Sequence, residues 1–293
     1  MLSFAVIFTA CDENMKALVS SKSPSINERF IQSMLYNSEH GYATIQVPDD
    51  EYTVYVCTDT HVATVNTKLQ TFIQLYRNDL TCPVAVCLGD LVEADHSYVW
   101  FVDAFKHVEP ITSKPDTMFV TIGNHDVFFD QWSSYIQYWP TSTYYFVIET
   151  NGPAKCKDLY ICFDTAQGTV GEAQLEWLRD KLDWAQKQQF RHIIAYAHVN
   201  IFRRDNTDAD ISTVSLEETY ELMYLFASHG VEQFWSGHDH AREEFTHGGV
   251  KYIIVDSMEQ ENDNSAYMVL HVGDKLNNTF HSIITAEGLD YKF

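Results

Sequence analysis

Short apolar runs of strand length alternate with stretches of helical period over the first two thirds of the chain, and strands alone fill the last third. Residues 52–58, 83–88, 118–122, 192–197 and 232–235 read as buried strands, and 144–148 with 159–163 as a further pair. Between them, Leu69, Phe72, Ile73 and Tyr76 share one face of a helix over 65–77, and residues 98–107 and 216–228 are also helical. Residues 171–187 carry Leu175, Leu178, Leu182 and Trp184 as the apolar positions of a strong helix. Downstream, 244–245, 250–255, 266–272 and 279–284 read as strands without long helices between them. Near the start, Ser25 is placed to cap a short helix through residue 36, with Ile26, Phe30, Ile31 and Met34 on one face. The pattern predicts an α/β fold of two packed mixed β-sheets flanked by helices. Its regular part begins at residue 52. Residues 1–51 therefore read as an N-terminal signal-like segment, linker and short helix, and 52–293 as the domain.

Composition narrows the possible functions. With 293 residues and 45% hydrophobic positions, the chain can bury a substantial core. A formal net charge of -22 repels polyanions, and no Lys/Arg cluster offsets it, so no long nucleic acid is expected as a partner. An anionic substrate would need a local positive charge, which bound metal supplies. None of the six cysteines forms a C-x-x-C pair, which argues against a thiolate zinc site. Cys57 and Cys87 sit in apolar runs as core residues, while Cys156 and Cys162 could bridge a hairpin. The apolar stretch 1–11 ends in small residues before Cys11, Asp12 and Glu13 and resembles the tail of a bacterial lipoprotein signal. That reading expects a periplasmic or outer-membrane-anchored lipoprotein, touching a membrane only through a lipid on Cys11. The alternative is a buried first strand of a cytoplasmic protein.

Ionisable residues gather in five short clusters, each after an apolar strand: Asp59-Thr60-His61, Gly89-Asp90 through Glu93, Gly123-Asn124-His125-Asp126, His198, and Gly237-His238-Asp239-His240. Ligand sites in α/β sheets lie beyond the carboxyl ends of the strands, so these clusters are expected to converge. In an extended segment, residues i and i+2 face one side, which would let Asp59 with His61, and His238 with His240, aim at one point. The glycines before the polar residues permit sharp turns and positive φ. Imidazole, carboxylate and amide donors form a metal set, with more ligands than one ion needs.

In this order the clusters resemble the D-x-H, G-D-x-x-[DE], G-N-H-[DE], H and G-H-x-H pattern of the calcineurin-like metallophosphoesterases. The resemblance covers roughly residues 52–256 and implies a four-layer αββα sandwich with two divalent or mixed-valence ions (Mn, Fe or Zn). It implies Asp59, His61 and His240 on the first ion, Asn124, His198 and His238 on the second, and Asp90 bridging both. The implied function is hydrolysis of small phosphate mono- or diesters by attack of a metal-bridging hydroxide. His125 is then the general acid, with Asp126 orienting it. Glu93 and His61 differ from the purple acid phosphatases, so no tyrosinate ligand is expected. The usual H-x-P element reads His198-Val199-Asn200. Asp239 is expected to point away from the ions, and Asp164, Thr165 and Gln174 match the segment before the family's mid-chain helix. Glu93 could touch the site or bond to backbone, Arg203 and Arg204 could meet a substrate phosphate or lie in a solvated loop, and residues 128–145 could wall the site or pack in the core. A non-catalytic metal- or phosphate-binding protein on the same fold is the alternative from another class.

Overall fold

The structure, a computed structural model, describes residues 23–93, 96–108, 117–202 and 214–283. Cys11, Arg203 and Arg204 lie outside these residues. Helix α1 (Ile26–His40) begins at Ser25 in a reciprocal cap: Ser25 Oγ accepts from Glu28 N, and Ser25 N donates to Glu28 Oε2 at 2.8 Å. It runs four residues past the expected end and stops at Gly41, whose φ of 75° suits glycine. Strand β1 (Ala43–Val47), absent from the expected elements, follows at once.

The next elements alternate as the sequence predicts. They are β2 (Tyr52–Cys57), α2 (Thr67–Asn78), β3 (Val84–Cys87), α3 (Val99–Lys106) and β4 (Met118–Val120). A short turn and α4 (Trp132–Tyr135) lead to β5 (Tyr144–Thr150) and β6 (Lys157–Cys162). Then come α5 (Glu172–Gln188), β7 (His192–Tyr196), α6 (Leu216–His229) and β8 (Gln233–Ser236). The β-only end holds β9 (Glu243–His247), β10 (Val250–Ile254), β11 (Ala266–Val272) and β12 (Leu276–Ser282).

These strands form two mixed sheets. One has seven strands in the order β1-β5-β6-β7-β8-β10-β9, the other five in the order β12-β11-β2-β3-β4. An apolar layer including Val54, Val86, Phe146, Tyr160, Trp235 and Leu270 fills the space between them. Helices α2 and α3 cover the smaller sheet, and α5 and α6 the larger, each over its own core. This is the expected α/β sandwich. Burying each large apolar side chain contributes roughly 1.5–3 kcal/mol.

The N-terminal segment, as far as it is described, lies on this body. β1 pairs in parallel with β5, and α1 packs on α5. Arg29 of α1 is fully buried and grips Asp164 with two bonds, Nε to Oδ2 at 2.8 Å and Nη2 to Oδ1 at 2.9 Å. Cys57 and Cys87 are adjacent in register at the ends of β2 and β3. Cys156 and Cys162 are both free, so the hairpin carries no bridge. Among the described residues, no helix is long and apolar enough to cross a membrane.

Candidate metal centre

Strands β2, β3, β4, β7 and β8 end on one side of the sandwich, and the five polar clusters leave from those ends. The loops after β2 and β3 stay paired: Asp59 N donates to Gly89 O, and His61 N to Asp90 O, both at 3.0 Å. They do so in a conformation the strand period does not foresee. Asp59, His61, Asp90, His238 and His240 all have positive φ, from 39° to 70°. The paired aim of Asp59 with His61, and of His238 with His240, thus comes from left-handed backbone and not from an extended segment. Such positions cost on the order of 1–3 kcal/mol each and persist where surrounding structure holds them.

The glycines serve space more than rotation. Only Gly89 of the three has positive φ. A Cβ on Gly123 would collide with the Asp90 carboxylate and backbone, and one on Gly237 with Thr58 and Asp59. The loops approach this closely because each carboxylate is held from one side. Asp59 Oδ2 accepts from Thr58 Oγ1 at 2.6 Å and from His238 N at 2.9 Å. Asp90 Oδ1 accepts from His125 N at 2.8 Å.

The other oxygen of each carboxylate faces the imidazoles. Asp59 Oδ1 is buried, has no hydrogen-bond donor among the described residues, and lies 3.3 Å from His240 Nε2 and 3.9 Å from His61 Nε2. Asp90 Oδ2 lies between two groups, 3.6 Å from His61 Nε2 and 3.3 Å from His198 Nε2. His198 Nε2 also meets Asn124 Oδ1 at 3.0 Å, and His238 stacks edge-on against His198 with ring centroids 5.1 Å apart. His198 Nδ1 donates to Leu88 O at 2.8 Å, which turns Nε2 towards the centre. His61 Nε2 and His240 Nε2 face each other at 3.2 Å. Among the described residues three sets, Asp59-His61-His240, His61-Asp90-His125 and Asp90-His198-His238, have the ligand-atom spacing to hold a metal ion.

The electrostatics fit a cation. Burial disfavours charge on His198, but the Asp90 and Asp59 carboxylates outweigh it and push its pKa up to about 10. Burial likewise opposes ionisation of Asp90 and Asp59, and the imidazoles overcome it, holding both carboxyls below their usual range. Asp59 raises His240, while burial and the neighbouring His198 charge lower His238. A buried carboxylate pair that draws a proton to His198, with Asp59 Oδ1 lacking a donor among the described residues, is matched by a metal cation on these donors.

One predicted site residue stands differently. Asp126 does not orient the His125 ring. Its buried carboxylate accepts from Gly123 N at 2.9 Å, Tyr98 Oη at 3.0 Å and Leu91 N at 3.3 Å, so it braces the loops. Burial, with Asp90 nearby, pushes its pKa up to about 7. Glu93 takes the expected partnership: His125 Nδ1 donates to Glu93 Oε1 at 3.0 Å. Its other oxygen lies 3.2 Å from His61 Nδ1. His125 is partly exposed, and its ring lies 4.5 Å from that of His61. The spacing of Asp90 and Glu93 was the only sequence signal for this pairing.

The remaining motifs are structural. In place of the usual proline, Asn200 closes its own turn, its Oδ1 accepting from Phe202 N at 3.1 Å. Its Nδ2 donates to Asp239 Oδ2 at 3.0 Å, which accounts for Asp239. Thr165 Oγ1 accepts from Val199 N at 2.8 Å, and Gln174 bonds Asp164 N and O. From the aromatic stretch, Trp132 and Tyr135 pack in the core, but Phe128 faces His125 with centroids 5.6 Å apart.

A four-layer α/β sandwich with such a donor set at its strand ends is a metallohydrolase by class. The sequence model of the calcineurin-like phosphoesterases matches residues 52–242, and the chain belongs to that family of metal-dependent hydrolases acting on phosphate esters. It is 21% identical over 229 residues to the serine/threonine-protein phosphatase CPPED1 of Rattus norvegicus, covering 70% of each chain. Its fold is similar to that of GAP50, the anchor in the inner membrane complex of Plasmodium, with a TM-score of 0.61 and 16% identity over 83% of this chain and 88% of that one. It is also similar to purple acid phosphatase PPD1 from yellow lupin seeds, with a TM-score of 0.60 and 12% identity over 80% of this chain and 52% of that one.

Proposed function

We propose that the protein hydrolyses small phosphate mono- or diesters at a centre of two metal ions, with His125 as the general acid. Asp59, His61 and His240 would hold one ion, and Asn124, His198 and His238 the other. Asp90 Oδ2 would lie between them. Metal ions there supply positive charge for the ester anion and a water acidic enough to attack at neutral pH.

The observation that carries the acid assignment is the Glu93–His125 bond. Glu93 holds Nδ1 of a partly exposed imidazole beside the cluster, leaving Nε2 to meet the leaving oxygen. A general acid so held contributes typically about 10²–10⁴-fold. Retention of both carboxylates, the imidazoles and His125 favours turnover over binding alone. The relative named as a phosphatase is consistent with this reading.

The test is activity of protein reconstituted separately with manganese, zinc and iron, on p-nitrophenyl phosphate and on its bis ester. His125→Ala should keep its metal content and lose most turnover. Asp90→Ala should lose metal as well. Full metal-dependent activity in both variants would refute the assignment.

A further inference from the structure

The loop that presents His125 carries two strained residues that the reaction chemistry does not require. Val127 N and Phe128 N both donate to Asn124 O, at 3.1 and 3.0 Å, so the chain turns tightly after the Asn124–Asp126 element. Phe129 then adopts φ 53° and ψ 37°, and Asp130 follows with φ 63°. Left-handed backbone is a genuine outlier for a bulky aromatic residue. Core packing does not explain it, because Phe129 is 40% exposed and neither Phe128 nor Phe129 belongs to a buried cluster.

What the strain does is set an aromatic surface beside the proton donor. The Phe128 ring lies 5.6 Å from the His125 imidazole, and Phe129 stands edge-on to Phe128 at 6.5 Å. If His125 protonates the leaving oxygen, the group attached to that oxygen must lie next to His125. From there it can extend over Phe128 towards Phe129. We infer that Phe128 and Phe129 form a platform for the leaving group, which selects phosphate esters of aromatic alcohols over esters of small hydrophilic alcohols. The inference rests on the phosphoesterase reading and deepens it.

Non-hydrolysable phosphonates test it without turnover. Manganese-reconstituted protein is titrated calorimetrically with phenylphosphonate and with methylphosphonate. Wild type should favour the phenyl compound, and Phe129→Ala should shrink that preference by about three- to tenfold, the size of a ring–ring contact. Tyr224→Ala, which removes an exposed aromatic of α6, should keep the wild-type ratio. Thermal unfolding of Phe129→Gly separates a binding role from a structural one. Its midpoint should stay unchanged or rise by about 2 °C as strain is relieved. Equal affinities in wild type, an unaltered ratio in Phe129→Ala, or a fall of more than about 5 °C in Phe129→Gly would overturn the platform alone. Failure of metal-loaded wild type to bind either phosphonate would overturn the phosphoesterase reading and the platform with it.

Discussion

Glu93 and Asp126 are both acidic, both close in sequence to predicted ligands, and divide two tasks between them. Glu93 is part-exposed and holds His125. Asp126 is buried and accepts from two backbone N–H groups and Tyr98. Opposite responses to mutation are therefore expected. Glu93→Gln should leave stability within about 0.5 kcal/mol while lowering kcat about 10–100-fold, as loss of a supporting carboxylate does elsewhere. Asp126→Ala should cost about 1–3 kcal/mol of stability because it strands buried donors. Urea unfolding beside steady-state kinetics separates the two. A Glu93→Gln enzyme of full kcat, or an Asp126→Ala protein of full stability, would contradict the division. Sequence could not make it: Glu93 and His125 lie 32 residues apart, whereas Asp126 adjoins His125 yet points its side chain elsewhere.

At the scale of elements, α1 is fastened by charge as well as by apolar contact. Arg29 and Asp164 are fully buried, and Arg29 Nη1 also donates to Pro24 O and Gln167 Oε1. Removing one partner leaves an uncompensated buried charge, so Arg29→Ala should cost about 3–5 kcal/mol. Arg29→Ala combined with Asp164→Ala should cost less than the sum of the singles, with a coupling of about 0.5–3 kcal/mol. Chemical denaturation of all three variants measures this, and a cost below about 1 kcal/mol for Arg29→Ala would show that the pair does not hold the helix. Most elements were legible because they bury one face and so carry a period. β1 was not, since it is an edge strand with Ala43, Thr44 and Gln46 exposed. The last turn of α1 was missed for a similar reason, because Asn37-Ser38-Glu39-His40 offers no apolar mark. The ligand clusters were legible by type and order. Their geometry was not, because left-handed backbone at Asp59, His61, Asp90, His238 and His240 follows from loop packing that no local pattern encodes.

Over the whole molecule, the apolar layer between the sheets presses them together without fixing their alignment, because hydrophobic attraction has no direction. Polar links at the end opposite the metal centre supply that direction. Tyr52 of β2 donates to Asp158 of β6 at 2.8 Å, and Arg191 grips the same carboxylate. His192 at the start of β7 reaches Glu232 Oε1 through Nδ1 and Gly273 O, beyond β11, through Nε2, both at 2.8 Å. Both partners are acceptors, so the fully bonded ring is the imidazolium. Burial opposes that charge, but Glu232 and the Gly273 carbonyl outweigh it and raise the pKa above the ordinary 6.5. A raised folded-state pKa means this link stabilises fully below about pH 6.5 and is lost as pH climbs through the folded value. The difference in unfolding free energy between wild type and His192→Gln should therefore be largest near pH 6 and shrink towards pH 9. Measuring the difference cancels ionisations common to both proteins, including those of the metal ligands. A difference that stays constant across this range would mean that His192 joins the sheets as a neutral ring.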